Sequence, residues 1–515
     1  MKPVRDLLKH SSVYMIGQVI ARMASVVLLP FYTNVFSPAD YGVTAILDLM
    51  SSLLATVVAS GLVTAVTRHH FETEDSAQTD RVWWTGLSMV ALVCALTCLP
   101  LWLIRHTLAD WTLGAEVTQG PWFYTLTILT LCFCVFGMVL DAYLRVLKWS
   151  GVFVVISLTR LLINIGLNVW LIVGVGMGVE GLLVGNLIAT ILQTVVLSTI
   201  FVKTRGPFRL DRVIGRHMLR FAVPLVLTAV VTMLMHEADR FFLRIWSSMD
   251  VVGVYSLAHK LGFAVNTLCV LPFLSIWTVA IYDIERLPNA PEVFRRIFGW
   301  FVSGLGILLL GAALTVHPVL PLLTRSDYGE AVDLVSVILL GLFVFSLSFM
   351  FEVPALLKKK TRVLVPAAIL GLAVNVGANV LLIPLMGAWG AGWAGVLTYA
   401  ASSLTILLLC REVMKIDYSW LHLGLTTSGL CLTYVAVRYG CFPHVGIGAQ
   451  LALSVLVCGL WTVVLFGKDG LEAGMDYLGR RRTMANSTTA ISEDTSDVPA
   501  EEPLAVSSSS TSAVT

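Results

Sequence analysis

One stretch of this chain occurs twice. From Lys148 to Gly181 it reads K-W-S-G…N-I-G-L-N-V-W-L-I-V-G-V-G-M-G-V-E-G, and further on K-K-T-R…N-V-G-A-N-V-L-L-I-P-L-M-G-A-W-G-A-G. Lys148 pairs with Lys359, Asn164 with Asn375, Asn168 with Asn379, Gly176 with Gly387 and Gly181 with Gly392, always 211 residues apart. The same offset joins Ser37-Pro-Ala-Asp-Tyr-Gly42 to Ser248-Met-Asp-Val-Val-Gly253. Chance similarity between apolar segments would not hold one register across separated motifs. The chain therefore reads as a tandem duplication, and any fold proposed for it must be built from two like units.

The content of each unit follows from its hydropathy. Only 13% of the 515 residues are charged and 57% are hydrophobic, with a mean hydropathy of +0.85, whereas about 25% charge is usual in soluble domains. Apolar runs of about 20 residues, enough to cross a bilayer core, fall at 11–33, 41–67, 82–104, 121–143, 152–173 and 179–202 in the first unit. The second unit has them at 217–236, 251–282, 296–317, 331–357, 364–383 and 388–410. Two more, at 420–437 and 446–466, have no counterpart. In lipid each segment must satisfy its own backbone polar groups, so helices are the expected form. The predicted class is an all-α integral membrane protein of about 14 helices: two parallel six-helix repeats and two extra helices. The predicted organisation is an N-lobe at 1–202, a basic linker at 203–216, a C-lobe at 217–410, the extra pair within 411–467 and a tail at 468–515. That tail, rich in Ser, Thr, Glu and Pro, lacks the apolar content to form a core.

Lys and Arg set the expected orientation. The N-terminus, alternate loops and the tail hold 26 of them, the opposite loops 5, and three lie inside helices. The rich side is the predicted cytoplasmic side, with both termini on it. The heaviest cluster, Lys203, Arg205, Arg209, Arg212, Arg216 and Arg220, joins the two units there. It reads as a topology signal that also meets lipid headgroups. An even number of helices per unit gives both units the same polarity, which places a substrate path at their interface.

Charges at membrane depth are costly and usually face a cavity or a partner. Ser11, Gln18, Arg22 and Ser25 form one polar stripe on the first helix, and Thr44, Asp48 and Ser51 share a face of the second. Thr228, Thr232, His236 and Asp239 line the seventh, with Glu237 and Arg240 beside them, and Ser256, His259, Lys260 and Thr267 mark the eighth. These are corresponding helices of the two units, so a wet, partly cationic space between them is expected. Arg22 and Lys260 either pair with Asp48 or Asp239 or hold an anionic ligand, and a pair in the empty state can open to bind one. Arg160, Asn164 and Asn168 make a further stripe of interhelical contacts. Asp141 and Arg145, four apart, are expected to pair. The nine cysteines lack metal spacing and read as small core residues. No G-x-x-x-x-G-K-[ST] loop and no Asp-x-Asp pair is present. The reading names no catalytic residue, metal, cofactor or nucleic-acid partner.

S-S-V-Y-M-I-G-Q-V-I-A-R-M, L-L-P-F-Y-T-N-V-F-S-P-A-D-Y-G, L-R-F-A-V-P-L, A-D-R-F-F-L, V-G-V-Y-S-L-A-H-K-L and the two N-x-x-x-N…G-x-x-G copies resemble the Wzx-type polysaccharide flippases of the MOP superfamily, relatives of MATE exporters and lipid II flippases. The resemblance covers residues 1 to about 467. It implies export of a polyprenyl-diphosphate-linked oligosaccharide from the cytoplasmic to the outer leaflet of a bacterial inner membrane, beside a polymerase and glycosyltransferases. It also implies a cationic central cavity, a role that Arg22 and Lys260 match best, with Gln18 and Arg240 as further substrate contacts and Asp48, Asp239 and Glu237 as ion-coupling positions. The alternative is an ion-coupled small-molecule exporter like MATE proteins. A membrane glycosyltransferase or polymerase fits the short outer loops poorly.

Overall fold

In a computed structural model, residues 28–73 and 75–466 are described; most of the predicted first helix, with Gln18 and Arg22, and the tail lie outside them. Packing groups the chain into one compact unit that ends at Cys458 and a second that begins at Gly459. Thirteen helices among the described residues are long and apolar enough to span a membrane, and they coincide with the remaining predicted spans. The chain is a multi-pass membrane protein. In order its helices are α1 (Leu29–Val35), α2 (Pro38–Phe71), α3 (Ala77–Leu103), the short α4 (Arg105–Thr112), α5 (Gly120–Val146), α6 (Ser150–Gly174) and α7 (Gly178–Thr204). The second half continues with α8 (Arg212–Trp246), α9 (Met249–Glu285), α10 (Ala290–Leu323), α11 (Ser326–Leu357), α12 (Thr361–Met386) and α13 (Ala388–Val413). It closes with α14 (Trp420–His444) and α15 (Ile447–Phe466).

The duplication governs local structure as well as helix order. Pro38 and Met249, 211 apart, each follow a serine cap: Ser37 accepts from the Asp40 amide in a capping box, and Ser248 accepts from the Val251 amide. Lys148 and Lys359 are the two non-glycine residues with positive φ among those described, at 58° and 55°. Such a backbone costs a lysine about 1–2 kcal/mol. Each sits where a helix closes, and the matching amides bond back to the last turn: Trp149 to the Leu144 carbonyl at 3.1 Å and Lys360 to the Ala355 carbonyl at 2.8 Å. Within the repeated motif, Asn168 donates to the Asn164 side-chain oxygen at 3.2 Å, and Asn379 to that of Asn375 at 3.1 Å.

Packing repeats in the same way. In the first half α7 packs on α5 and α6 and α3 packs on α5; in the second α13 packs on α11 and α12 and α10 packs on α11. The outward faces carry large exposed apolar side chains such as Val155, Leu162, Ile276 and Leu381, the surface a bilayer covers in place of water. The helix α8 packs both on the C-terminal part of α2 and on α12, so it ties the two units together. Pro224 lies in its interior, where proline bends a helix.

Candidate functional site

The two halves meet where α2 and α9 cross, and the crossing passes through a repeated glycine. A Cβ on Gly253 would lie 2.8 Å from the Pro38 carbonyl carbon and 3.0 Å from the Gly42 amide; one on Gly42 would lie 3.1 Å from the Gly253 amide. Each glycine is thus pressed against the other copy's backbone, as a pseudo-two-fold axis through the crossing requires. Further contacts close the same end. Asn34 donates to the Leu323 carbonyl at 3.0 Å, Tyr328 to the Phe36 carbonyl at 3.2 Å, and Arg244 to the Thr112 and Leu113 carbonyls, both at 2.9 Å. This end bears the Lys- and Arg-poor loops.

Away from the crossing the charged residues gather in two groups. Lys260 on α9 and Asp48 on α2 are both exposed. Lys260 lies within electrostatic reach of Asp48 and Tyr41 on α2, Tyr32 on α1 and Arg240 on α8. Lys260 thus stands at the interface of the halves, facing three helices. Among the described residues neither Lys260 nor Asp48 has an ion-pair partner within 4.0 Å. The second group is tied together by hydrogen bonds and an ion pair. Asp239 is buried; it accepts from the Tyr255 hydroxyl and, at 3.0 Å, from the Arg240 amide. The Arg240 guanidinium pairs with Glu237 at 2.6 Å and donates to His259 Nδ1 at 2.7 Å, which makes that nitrogen an acceptor and His259 neutral. His236 Nδ1 meets the Tyr399 hydroxyl at 2.8 Å. A cavity of about 10 Å³ bordered by Asp239, Tyr255, His259, Asn375 and Tyr399 lies among them, about one water's space.

A larger pocket of about 370 Å³ lies between α14 and the helices α10, α11 and α13. Leu309, Leu310, Phe343, Trp393 and Leu430 give it apolar walls. At its rim Arg438 grips Asp333 with two bonds of 2.9 and 3.2 Å.

Comparison with known proteins agrees with this architecture. A family model described as polysaccharide biosynthesis protein matches residues 33–278, while no curated protein matches the chain. The structure of the lipid II flippase MurJ in an inward closed conformation superposes with a TM-score of 0.70 at 12% identity, covering 88% of this chain and 98% of that one. An inward-facing multidrug resistance MATE transporter of the MOP superfamily gives 0.55 at 13% identity, covering 80% and 96%. The Vibrio cholerae MATE transporter VcmN, in a mutant form, gives 0.53 at 15% identity, covering 80% and 97%. The fold is the one these structures share. The likeness read from the sequence motifs is thus matched by a family model over the first half and by the fold over most of the chain. The similar structures named here are of a flippase and of transporters, not of enzymes.

Of the residues singled out from sequence, Gln18 and Arg22 lie outside the described residues. Lys260 and Asp48 come together across the interface without touching. Arg240 is not a free cation, because Glu237, three residues before it on the same helix face, holds its guanidinium. Asp239 is not the partner of Lys260; Tyr255, which the sequence reading passed over, occupies it. Arg160 donates to the Thr190 hydroxyl at 3.3 Å, Asn164 to Asn186 at 2.6 Å and Asn168 to the Tyr32 hydroxyl at 2.9 Å, as interhelical contacts should. The expected Asp141–Arg145 pair does not form: Asp141 accepts from Gln193 on α7 at 3.4 Å, and Arg145 is exposed, where water competes for it. The cysteines are not all scattered either, since Cys94 and Cys98 on α3 meet Cys132 on α5, with Sγ–Sγ separations of 3.7 Å from Cys94 to Cys98 and 3.5 Å from Cys94 to Cys132.

Proposed function

We propose that this chain carries a polyprenyl-diphosphate-linked oligosaccharide from the cytoplasmic to the outer leaflet by alternating access, the lobes at 1–202 and 217–410 rocking about the α2–α9 crossing. The observation that carries the reading is Lys260: a cation between the halves, below the closed end, that has no ion-pair partner among the described residues. That arrangement suits a diphosphate arriving from the cytoplasmic side, because an ammonium without an ion-pair partner can meet the anion at no cost of breaking a pair. Arg22 and Gln18 complete the headgroup site from the first helix. Arg240, held by Glu237, serves the site through its field.

The resemblance to polysaccharide flippases and the fold shared with a lipid II flippase support this substrate class. So does the pocket beside α14, whose apolar walls fit a stretch of prenyl chain. Moving the headgroup's negative charge out of a negative cytoplasm is favoured by about 2.3 kcal/mol per charge per 100 mV, so an obligatory counter-ion is not required. Asp48, Asp239 and Glu237 are the candidate carboxylates where an ion is coupled. The same acids favour the second reading, export of a small cation, in which they would matter and Lys260 would not. Both termini lie in the cytoplasm in either scheme.

The deciding test uses purified protein in liposomes containing a polyprenyl-diphosphate oligosaccharide, following the sugar's arrival on the opposite leaflet. Wild type should transport, while Lys260→Ala and Arg22→Ala, folded and monodisperse, should transport at least tenfold more slowly. Full transport by both variants removes the headgroup site. Efflux of a cationic dye that survives Lys260→Ala but not Asp48→Asn would establish the exporter instead.

A further inference from the structure

The three clustered cysteines take no part in the proposed transport path, and their geometry invites a different role. Cys94 and Cys98 lie one helical turn apart on α3 and are buried; Cys132 reaches them from α5. All three sulfurs fall within 4.8 Å of one another, and all three are free thiols. A metal about 2.3 Å from each of three sulfurs in a plane holds them about 4.0 Å apart, so small side-chain adjustments would complete a trigonal site. The surroundings are apolar: Val58, Leu62, Val90, Leu131 and Val135 belong to the same buried cluster. Thr97, the hydroxyl closest in sequence, donates to the Val93 carbonyl at 2.8 Å and to the Cys94 carbonyl at 3.1 Å, and lies 3.9 Å from Cys98 Sγ.

We propose that Cys94, Cys98 and Cys132 form a site for a soft, thiophilic cation of the copper(I) class, which clamps α3 to α5 inside the first half. Three factors select the ion. Thiolate ligands favour soft metals. A structural zinc site requires four ligands, and among the described residues no fourth His, Cys, Asp or Glu joins the three. Charge also matters in so apolar a place: a monovalent ion that displaces one thiol proton leaves the site neutral, with one thiolate and two neutral thiols around it and the proton released to solvent. An i, i+4 pair of cysteines on one helix with the third on a neighbour also holds both helices in register, so occupancy should stiffen the packing of α3 on α5.

The test uses the full chain in detergent under anaerobic conditions, titrated with copper(I) buffered by a chromophoric copper(I) chelator. A variant with Cys134, Cys269, Cys410, Cys431, Cys441 and Cys458 changed to Ala retains the cluster alone. It should withdraw one copper(I) per chain, show sulfur-only coordination by X-ray absorption and unfold at a higher temperature when loaded. Adding Cys94→Ala, Cys98→Ala or Cys132→Ala should each weaken uptake by at least roughly the 10–100-fold that losing even an outer-shell partner causes. If the folded six-Ala variant takes no copper(I), or if uptake survives loss of Cys132, the site does not exist. Zinc bound as tightly as copper(I) would overturn the choice of ion.

Discussion

Gly253→Ala tests the α2–α9 crossing most directly. The new Cβ would stand 2.8 Å from the Pro38 carbonyl carbon and 3.0 Å from the Gly42 amide, with the Pro38 oxygen closer still. Carbon atoms rest at about 3.5–4.0 Å, so the helices must part by about 0.7 Å or more. The obstructing atoms are backbone and cannot rotate away. Overpacking of this kind typically costs about 1–3 kcal/mol, and because the clash exists only where the helices touch, the cost falls on the closed arrangement. At 1.4 kcal/mol per factor of ten, about 3 kcal/mol would shift the balance against closure roughly 100-fold. Hydrogen exchange at the amides of residues 249–256 should rise, and flipping in liposomes should fall because this end no longer closes. Gly42→Ala should act in the same direction, since its Cβ would meet Met249 and lie 3.1 Å from the Gly253 amide. Gly377→Ala is the control: nothing lies within 4 Å of its Cβ, and alanine should stabilise an open helical site by about 0.4–1 kcal/mol. If Gly253→Ala exchanges and transports like wild type, the crossing is not the closed gate described above.

Three further perturbations probe separate parts of the molecule. Arg244→Met removes two bonds to the carbonyls that end α4; hydrogen bonds from charged groups are worth about 1.5–3 kcal/mol each, so the thermal midpoint should fall, and an unchanged midpoint would show these bonds to be idle. Tyr255→Phe strips buried Asp239 of its hydroxyl donor and should destabilise by about 1–3 kcal/mol. Asp239→Asn keeps an acceptor oxygen for Tyr255 and should cost less, so denaturation in which Asn proves the worse of the two would contradict the assigned pairing. Val337→Trp fills the pocket beside α14; transport of a long-chain polyprenyl substrate should drop while a short-chain analogue is still carried, and equal loss for both would detach the pocket from the tail.

The helices were legible because a run of about 20 apolar residues has few other fates, and the duplication because its offset recurs in residues with backbone roles. Lys148 and Lys359 proved to share a positive φ, and Asn168 and Asn379 to make the same bond. What the sequence could not supply was contact across helices. Gly42 and Gly253 were recognised as equivalents, yet nothing in a linear pattern says that equivalents touch. The Glu237–Arg240 pair was available from its spacing of three, whereas Tyr255 reaches Asp239 from another helix and leaves no local trace. Spacing also misled: Asp141 and Arg145 satisfy the four-residue rule, but one is drawn to Gln193 and the other stays in water. The cysteines read as core residues, and only the packing of α3 on α5 brought Cys132 to Cys94 and Cys98.

The charges near the α2–α9 crossing do not obey the symmetry that the backbone keeps. At the 211-residue offset Asp239 corresponds to Leu28, Arg240 to Leu29, Tyr255 to Thr44 and Lys260 to Leu49, while His259 corresponds to Asp48. The duplication thus supplies two matched scaffolds and a close crossing between them, and the second copy alone carries the buried Asp239–Tyr255 and Glu237–Arg240–His259 network. The proposed alternating access requires this division. Equivalent backbones let the halves exchange open and closed packing at similar cost, whereas an asymmetric polar cluster gives a ligand or ion a different energy in each arrangement, and only such a difference can shift the equilibrium. Restoring symmetry should therefore idle the machine without unfolding it. Replacing Lys260 by Leu, the residue at its counterpart, should leave the α2–α9 crossing and the thermal midpoint intact while substrate no longer changes hydrogen exchange at residues 249–256. A substrate-dependent change that persists in Lys260→Leu would place the asymmetry that drives transport elsewhere.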